Sequence, residues 1–102
     1  MAAIAIHPGE HLAAELRELG MSAAELARKL DVPTNRITGI LNGQRAITGD
    51  TALRLGHFFG MSPQFWLNLQ SLYELRVAHK KIGKSIKALP RLKDSEPIPV
   101  RG

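Results

Sequence analysis

The sequence predicts an all-α fold: a five-helix domain preceded by a short arm and followed by a flexible tail. Two observations predict this class. Apolar residues recur three and four positions apart in successive segments, and residues typical of helix starts and ends separate those segments. With 102 residues, 44% of them hydrophobic, the chain suits one small domain whose modest core would gain stability from self-association.

The predicted boundaries follow the apolar pattern. Residues 1–7 form an N-terminal arm, 8–81 the folded domain, and 82–102 a flexible basic tail, since Gly83 and three later prolines interrupt a segment with no core pattern. A helical extension over 80–86 is a second interpretation of the start of that tail.

The first helix is predicted after an entry turn at residues 7–10. Leu12, Leu16 and Leu19 then recur at the spacing of one helical face, and Gly20 ends the segment.

Residues 22–43 predict two short helices joined at a steep angle. Ser22 and Glu25 have the spacing of a capping box, in which each side chain accepts a hydrogen bond from the other residue's backbone N–H. The joint at residues 30–33 has room only for a tight turn, and Pro33 is predicted to open the second helix. Asn42 and Gly43 end that helix, so the segment has the form of a helix-turn-helix.

The second helix of this motif has a polar face of short or forked side chains. These are Thr34, Asn35, Arg36 and Thr38. Such a face is typical of a helix that enters the DNA major groove. It is equally typical of a helix that is simply solvated, so the segment alone leaves DNA binding and a plain helical hairpin as even alternatives.

Two more helices complete the prediction. Thr48 begins the fourth, in which Gly56 permits close approach of a neighbouring element, and Gly60 ends it; Ser62 and Pro63 begin the fifth. The inward face of the fifth helix is predicted to consist of Phe65, Trp66, Leu69, Leu72, Tyr73 and Val77.

Two leucines of the fifth helix, Leu67 and Leu75, fall outside that inward face. A terminal helix folded onto its own core explains the inward face but not these two side chains. We therefore expect Leu67 and Leu75 to lie at a homodimer interface.

Composition narrows the function classes. The absence of cysteine excludes disulfides and thiolate chemistry and suits the cytoplasm, and no apolar run is long enough to span a membrane. The net charge of +5 favours a polyanionic partner, although seven basic residues fall between Arg76 and Lys93 rather than on the motif.

No constellation of residues indicates an enzyme, a cofactor or a metal. His7 and His11 have the i, i+4 spacing of metal ligands, but Pro8 and Gly9 lie between them and no third ligand is obvious nearby. Ser22 and Ser62 are explained as helix caps, and phosphate-binding loops are absent from the sequence.

Three segments in this order resemble the HigA-type antitoxins, a branch of the phage-repressor-like (XRE-type) helix-turn-helix proteins. The segments are IHPGEHLAAEL, SAAELARKLDVPTNRITGILNGQRAIT and DTALRLGHFFGMSPQFWLNLQSLYEL. The resemblance covers about Ile6 to Lys80, and the fifth-helix pattern FWLNLQ with YEL is its most specific part.

The resemblance implies an antitoxin and transcriptional autorepressor. It would bind a palindromic double-stranded DNA operator as a homodimer and neutralise a HigB/RelE-like toxin that cleaves messenger RNA. Base contacts would fall on Thr34, Asn35, Arg36 and Thr38, and phosphate contacts near Asn42, Gln44 and Arg45. Ala23 replaces a glutamine that reaches a phosphate in many relatives, so that contact is not expected, and Asp31 replaces a frequent glycine in the turn.

Two other functions remain open at this point. One is a stand-alone repressor without a toxin, and the other is a protein-interaction module whose helix-turn-helix has lost its operator.

Overall fold

A computed structural model describes residues 4–92 of the chain, and this range contains five α-helices and no β-strand. The helices are α1 (Pro8–Leu19), α2 (Ala23–Leu30), α3 (Thr34–Leu41), α4 (Gly49–Phe59) and α5 (Pro63–Lys87). The predicted all-α, five-helix class is confirmed. None of the five helices combines the length and the hydropathy needed to cross a bilayer.

Side chains cap the helices where the sequence predicts. Ser22 and Glu25 form the complete capping box of α2, and the Ser22 N–H that donates to the carboxylate lowers the pKa of Glu25. Thr48 and Ser62 cap α4 and α5 through their hydroxyl oxygens. The cap of α1 was not predicted: the Nδ1 atom of His7 accepts a hydrogen bond from the Gly9 N–H at 2.9 Å.

The core lies where α1 to α5 meet. Its largest fully buried side chains come from every helix, and they include Leu12, Leu26, Ile37, Ile40, Leu55 and Trp66. Each of these residues belongs to an apolar face with helical spacing, so the sequence pattern accounts for the core directly.

Two glycines allow elements to approach more closely than a side chain would permit. A Cβ atom on Gly9 would lie 2.0 Å from the carbonyl oxygen of Ile40, so α1 begins directly against the end of α3. A Cβ atom on Gly56 would lie 2.7 Å from the Met61 carbonyl oxygen, which confirms the close approach predicted there.

The fifth helix is longer than predicted. It extends to Lys87, so residues 82–87 are helical rather than tail, because Ile82 and Ile86 continue the helical spacing and the ring of His79 lies over Gly83. The helical extension at 80–86 is therefore the correct interpretation. Residues 93–102 of the predicted tail lie outside the described part of the chain, as do residues 1–3 of the predicted arm.

The predicted sides of α5 also change. Leu67 is half-buried and packs against the core cluster, so the prediction that it lies outside the inward face is wrong, whereas Leu75 is 68% exposed. That either leucine lies at a dimer interface stays a prediction. Leu72, predicted to face inward, is exposed. The physical reason is that core neighbours surround only the first half of α5, where both sides of the helix find partners.

A buried glutamine of α5 was not predicted. The Gln70 side-chain oxygen accepts a hydrogen bond from the Ile47 N–H at 2.8 Å, and its amide nitrogen donates to Glu74 at 2.8 Å. The loop between α3 and α4 is thereby attached to α5 rather than only to its neighbours in sequence.

Changing Gly9 to alanine should destabilise the fold. The added methyl group would overlap a backbone carbonyl that cannot rotate away, so we expect a loss of about 1–3 kcal/mol in the free energy of unfolding. Urea denaturation followed by circular dichroism measures it. Gly49→Ala is the matched control, since a Cβ there meets nothing within 4 Å. Equal stability of the two variants would contradict the described contact between α1 and α3.

Candidate nucleic-acid interface

The turn between α2 and α3 consists of three residues, Asp31 to Pro33. Asp31 ends α2 in the left-handed conformation, with φ 58° and ψ 50°, and its N–H bonds back to the Arg28 carbonyl at 3.2 Å. Aspartate tolerates this conformation better than most residues, so the turn forms without the glycine that is frequent here. Pro33 is the cap residue of α3 rather than its first helical residue, so the helix begins at Thr34.

An arginine from α4 closes the carboxyl end of α2. The Arg54 Nη1 atom donates to the Leu30 carbonyl at 2.7 Å and to the Asp31 carbonyl at 3.4 Å. Carbonyls at a helix end lack partners within the helix, and a cation there also complements the helix dipole. A side chain outside the motif therefore caps the end of its first helix.

One carboxylate joins this arginine to α3. The same Oδ1 atom of Asp50 accepts from Arg54 Nε at 2.8 Å and from Arg36 Nη1 at 2.6 Å. The bond from Arg54, together with that from Arg36, lowers the pKa of Asp50 below its ordinary value, so the group is ionised at neutral pH. The same pairing raises the pKa of Arg54.

The solvent-facing side of α3 is shallow and polar. Ile37 and Ile40 are fully buried, and on a helix of 3.6 residues per turn the opposite side carries Asn35, Gly39 and Asn42. Asn35 and Asn42 are exposed, as is Thr34 at the first residue of the helix.

Arg36 and Thr38 border this face and are half-buried. The Thr38 hydroxyl lies 3.5 Å from the Asn35 carbonyl oxygen, to which it donates. Of the four predicted base-contacting residues, Thr34 and Asn35 are exposed, and Arg36 and Thr38 lie at the two edges of the polar face. Their role in base recognition stays a prediction.

The loop after α3 folds back onto the same surface. The N–H groups of Gln44 and Arg45 both donate to the Gly39 carbonyl, at 2.8 and 3.0 Å. The Arg45 stem lies over Gly39, because a Cβ atom placed on that glycine would be 3.1 Å from Arg45 Cδ. Both loop side chains are exposed beside the end of α3, which is where the phosphate contacts are predicted.

Three residues that organise this surface were not predicted: Asp50, Arg54 and Gln70. The i, i+4 spacing of Asp50 and Arg54 is a signal for a pair within α4, and it was available in the sequence. The hydrogen bond between Asp50 and Arg36 has no such signal in the sequence, because it depends on how α3 and α4 pack.

His7 and His11 pack against aromatic side chains of α5. His11 lies edge-on against Phe65 and Trp66, with ring centroids 5.1 and 5.5 Å apart, and His7 lies edge-on against Tyr73 at 4.9 Å. Among residues 4–92, no group of three or more metal-ligating side chains occurs.

Comparison with known proteins identifies the family. The helix-turn-helix family model HTH_3 matches residues 12–66. An addiction module antidote protein of the HigA family from Coxiella burnetii is 56% identical, and its superposition has a TM-score of 0.86 over 88% of this chain and 100% of that chain. This chain belongs to the HigA-type antitoxin family.

Two further relatives are similar over most of the chain. The antitoxin HigA of Pseudomonas aeruginosa, whose structure includes the higBA promoter, is 44% identical with a TM-score of 0.84, over 88% of this chain and 100% of that chain. Virulence-associated protein I of Dichelobacter nodosus is 51% identical over 74% of this chain and 71% of its own length. The family resemblance seen in the sequence is confirmed, as is its XRE-type helix-turn-helix.

Proposed function

We propose that this HigA-family protein is an antitoxin and autorepressor that binds a palindromic operator in its own promoter as a homodimer and neutralises a HigB/RelE-like toxin that cleaves messenger RNA. It acts by binding rather than by catalysis, in the cytoplasm, and on the nucleoid when bound to DNA. The observation that carries the DNA-binding part is the exposed polar surface of α3, which two fully buried isoleucines hold outward and the Arg45 loop extends. A relative with a TM-score of 0.84 was solved with promoter DNA.

The groups on this surface suit the two kinds of contact that operators offer. Asn35 and Arg36 can make bidentate hydrogen bonds to adenine and guanine in the major groove. Thr34 and Thr38 suit phosphate or a thymine methyl group. Asn42, Gln44 and Arg45 stand at the end of the helix, where backbone phosphates border the groove.

A homodimer would place two such helices in successive major grooves about 34–36 Å apart. The apolar face that supports a second copy lies on the second half of α5. Its exposed residues are spaced alternately three and four apart, as in a two-stranded coiled coil, and they are Leu72, Leu75, Ile82 and Ile86, with His79 in the same series.

The opposite side of that half-helix is basic. Lys80, Lys81 and Lys84 lie on the side of the helix away from the seam and are exposed. A hydrophobic seam on one side and lysines on the other is the arrangement that pairs with an equivalent helix and leaves the charges in water. Leu75 keeps its predicted place in the interface, and the half-buried Leu67 lies outside this seam.

Base recognition can be tested by comparing two arginine variants on the chain's own upstream DNA. Arg36→Ala should cost about 1–3 kcal/mol of operator binding and relax the preference at one base pair in each half-site. Arg45→Ala is the contrast: it should weaken binding about equally on operator and random DNA and lower the salt slope by about one. Fluorescence anisotropy with base-substituted operators measures both effects. An unchanged base preference in the Arg36 variant would contradict the placement of α3 in the major groove.

The homodimer can be tested with charges in the α5 seam. Leu75→Glu with Ile82→Glu would bury four carboxylates per dimer at an unfavourable desolvation cost, so we expect folded monomers and at least a ten-fold loss of operator affinity. Light scattering measures the oligomeric state, circular dichroism the helical fold, and fluorescence anisotropy the operator affinity. Leu53→Glu is the control, since Leu53 is similarly exposed, at 64%, but lies on α4. A seam variant that is still dimeric would place the interface elsewhere.

The toxin partner can be tested by tagged co-expression with any small basic protein encoded beside the gene. We expect the two chains to co-purify, and messenger RNA cleavage by the isolated partner to stop when this chain is added. A gene with no such neighbour, or a neighbour that does not bind, would support the alternative function, a stand-alone phage-repressor-like regulator.

A further inference from the structure

We infer that Asp50 is a positioning residue for operator recognition: it holds the Arg36 guanidinium in the orientation needed to read a base and so determines sequence selectivity. This inference rests on the proposed DNA-binding function and adds to it a residue outside the helix-turn-helix. It begins from the 2.6 Å bond between Arg36 Nη1 and Asp50 Oδ1.

The arginine keeps its capacity to bind a base while this bond is made. A guanidinium has five N–H donors, and the bond to Asp50 engages one of them. A bidentate contact with guanine requires two. The Arg36 side chain is 29% exposed and lies at the border of the polar face, so the carboxylate can hold one edge of the group while another edge faces the groove.

Asp50 can serve as a support because it is itself held. The same oxygen accepts from Arg54 Nε at 2.8 Å, and Arg54 also donates to the Leu30 carbonyl at 2.7 Å. The support thus runs from the carboxyl end of α2 through α4 to the recognition helix. Asp50 also lies in the first turn of α4, where the helix dipole favours a negative charge.

Asp50 has two opposing effects on DNA binding: it orients Arg36, and its negative charge repels the phosphates. A free arginine has many rotamers, and fixing it before binding removes that entropic cost from the complex. A carboxylate beside DNA, however, repels phosphates and lowers the affinity for any sequence. A group whose only role was to strengthen DNA binding would not be an aspartate. Its placement is explained if it improves the ratio of specific to non-specific binding.

The experiment measures that ratio for matched variants by anisotropy on the chain's own promoter DNA and on random DNA of equal length. For Asp50→Ala we expect unchanged or tighter binding to random DNA and a loss on the order of ten-fold in the ratio, the effect of losing one well-oriented base contact. The preference should relax at the same base pair as in Arg36→Ala. The double variant should show no greater loss of ratio than Arg36→Ala alone.

Asp31→Asn is the control for charge alone. It removes a carboxylate from the turn of the helix-turn-helix, and asparagine tolerates the left-handed conformation of this position. It should change affinity for both DNAs equally and leave the ratio intact. Asp50→Asn keeps a neutral acceptor for Arg36 and should fall between wild type and Asp50→Ala, which gives a second measurement if the alanine variant folds poorly.

Three results would overturn the inference. First, the ratio of specific to non-specific binding could stay unchanged in Asp50→Ala. Second, the affinity of that variant could rise more for the operator than for random DNA, which would mean that Asp50 inhibits base contact by Arg36. Third, the losses of ratio from Asp50→Ala and Arg36→Ala could add in the double variant. Each of these leaves the proposed function standing, provided that the wild-type chain binds its promoter selectively. A wild-type chain that binds no DNA would instead refute the proposed function itself.

Discussion

The burial of Ile37 and Ile40 is the constraint on which the candidate interface depends. A helix of eight residues is too short to be stable by itself in water, so α3 takes its position entirely from what its apolar side contacts. Both isoleucines are fully buried in a core to which all five helices contribute. The close approach of Gly9 to the Ile40 carbonyl then fixes the end of the helix as well. Because the apolar side of α3 is buried in the core, its polar side faces solvent.

A second layer of interactions fixes the direction of individual side chains. Arg54 satisfies the carbonyls at the end of α2, and Asp50 joins that arginine to Arg36. On the other side of the surface, Arg45 lies across Gly39, a position where any larger residue would push the arginine away. The packing thus places the helix, and a small number of polar contacts then arrange its side chains.

The sequence was sufficient for the fold because its signals are local. The capping box at Ser22 and Glu25 and the hydroxyl caps of α4 and α5 each act within a few residues, and all were correct. Helical spacing also predicted the buried Leu12 and Leu16, but Leu19, assigned to the same face, is 53% exposed at the end of α1. The errors concern contacts between distant segments. Leu67 was misplaced because helical spacing cannot show how many neighbours surround a helix, and the link between Arg36 and Asp50 requires the packing of α3 on α4. The length of α5 was underestimated because Gly83 suggested an end where the His79 ring instead covers the helix.

The hydrogen bond from the Ile47 N–H to Gln70 has a consequence for local dynamics. Ile47 lies in the same loop as Gln44 and Arg45, and its amide N–H donates to the buried side chain of Gln70 on α5. That amide can exchange with solvent deuterium only when the loop separates from α5, and not when α3 alone frays. Gln70 in turn receives its orientation from Glu74, beside the exposed seam. The protection of one backbone amide next to the candidate DNA surface therefore reports on the state of the long helix behind it.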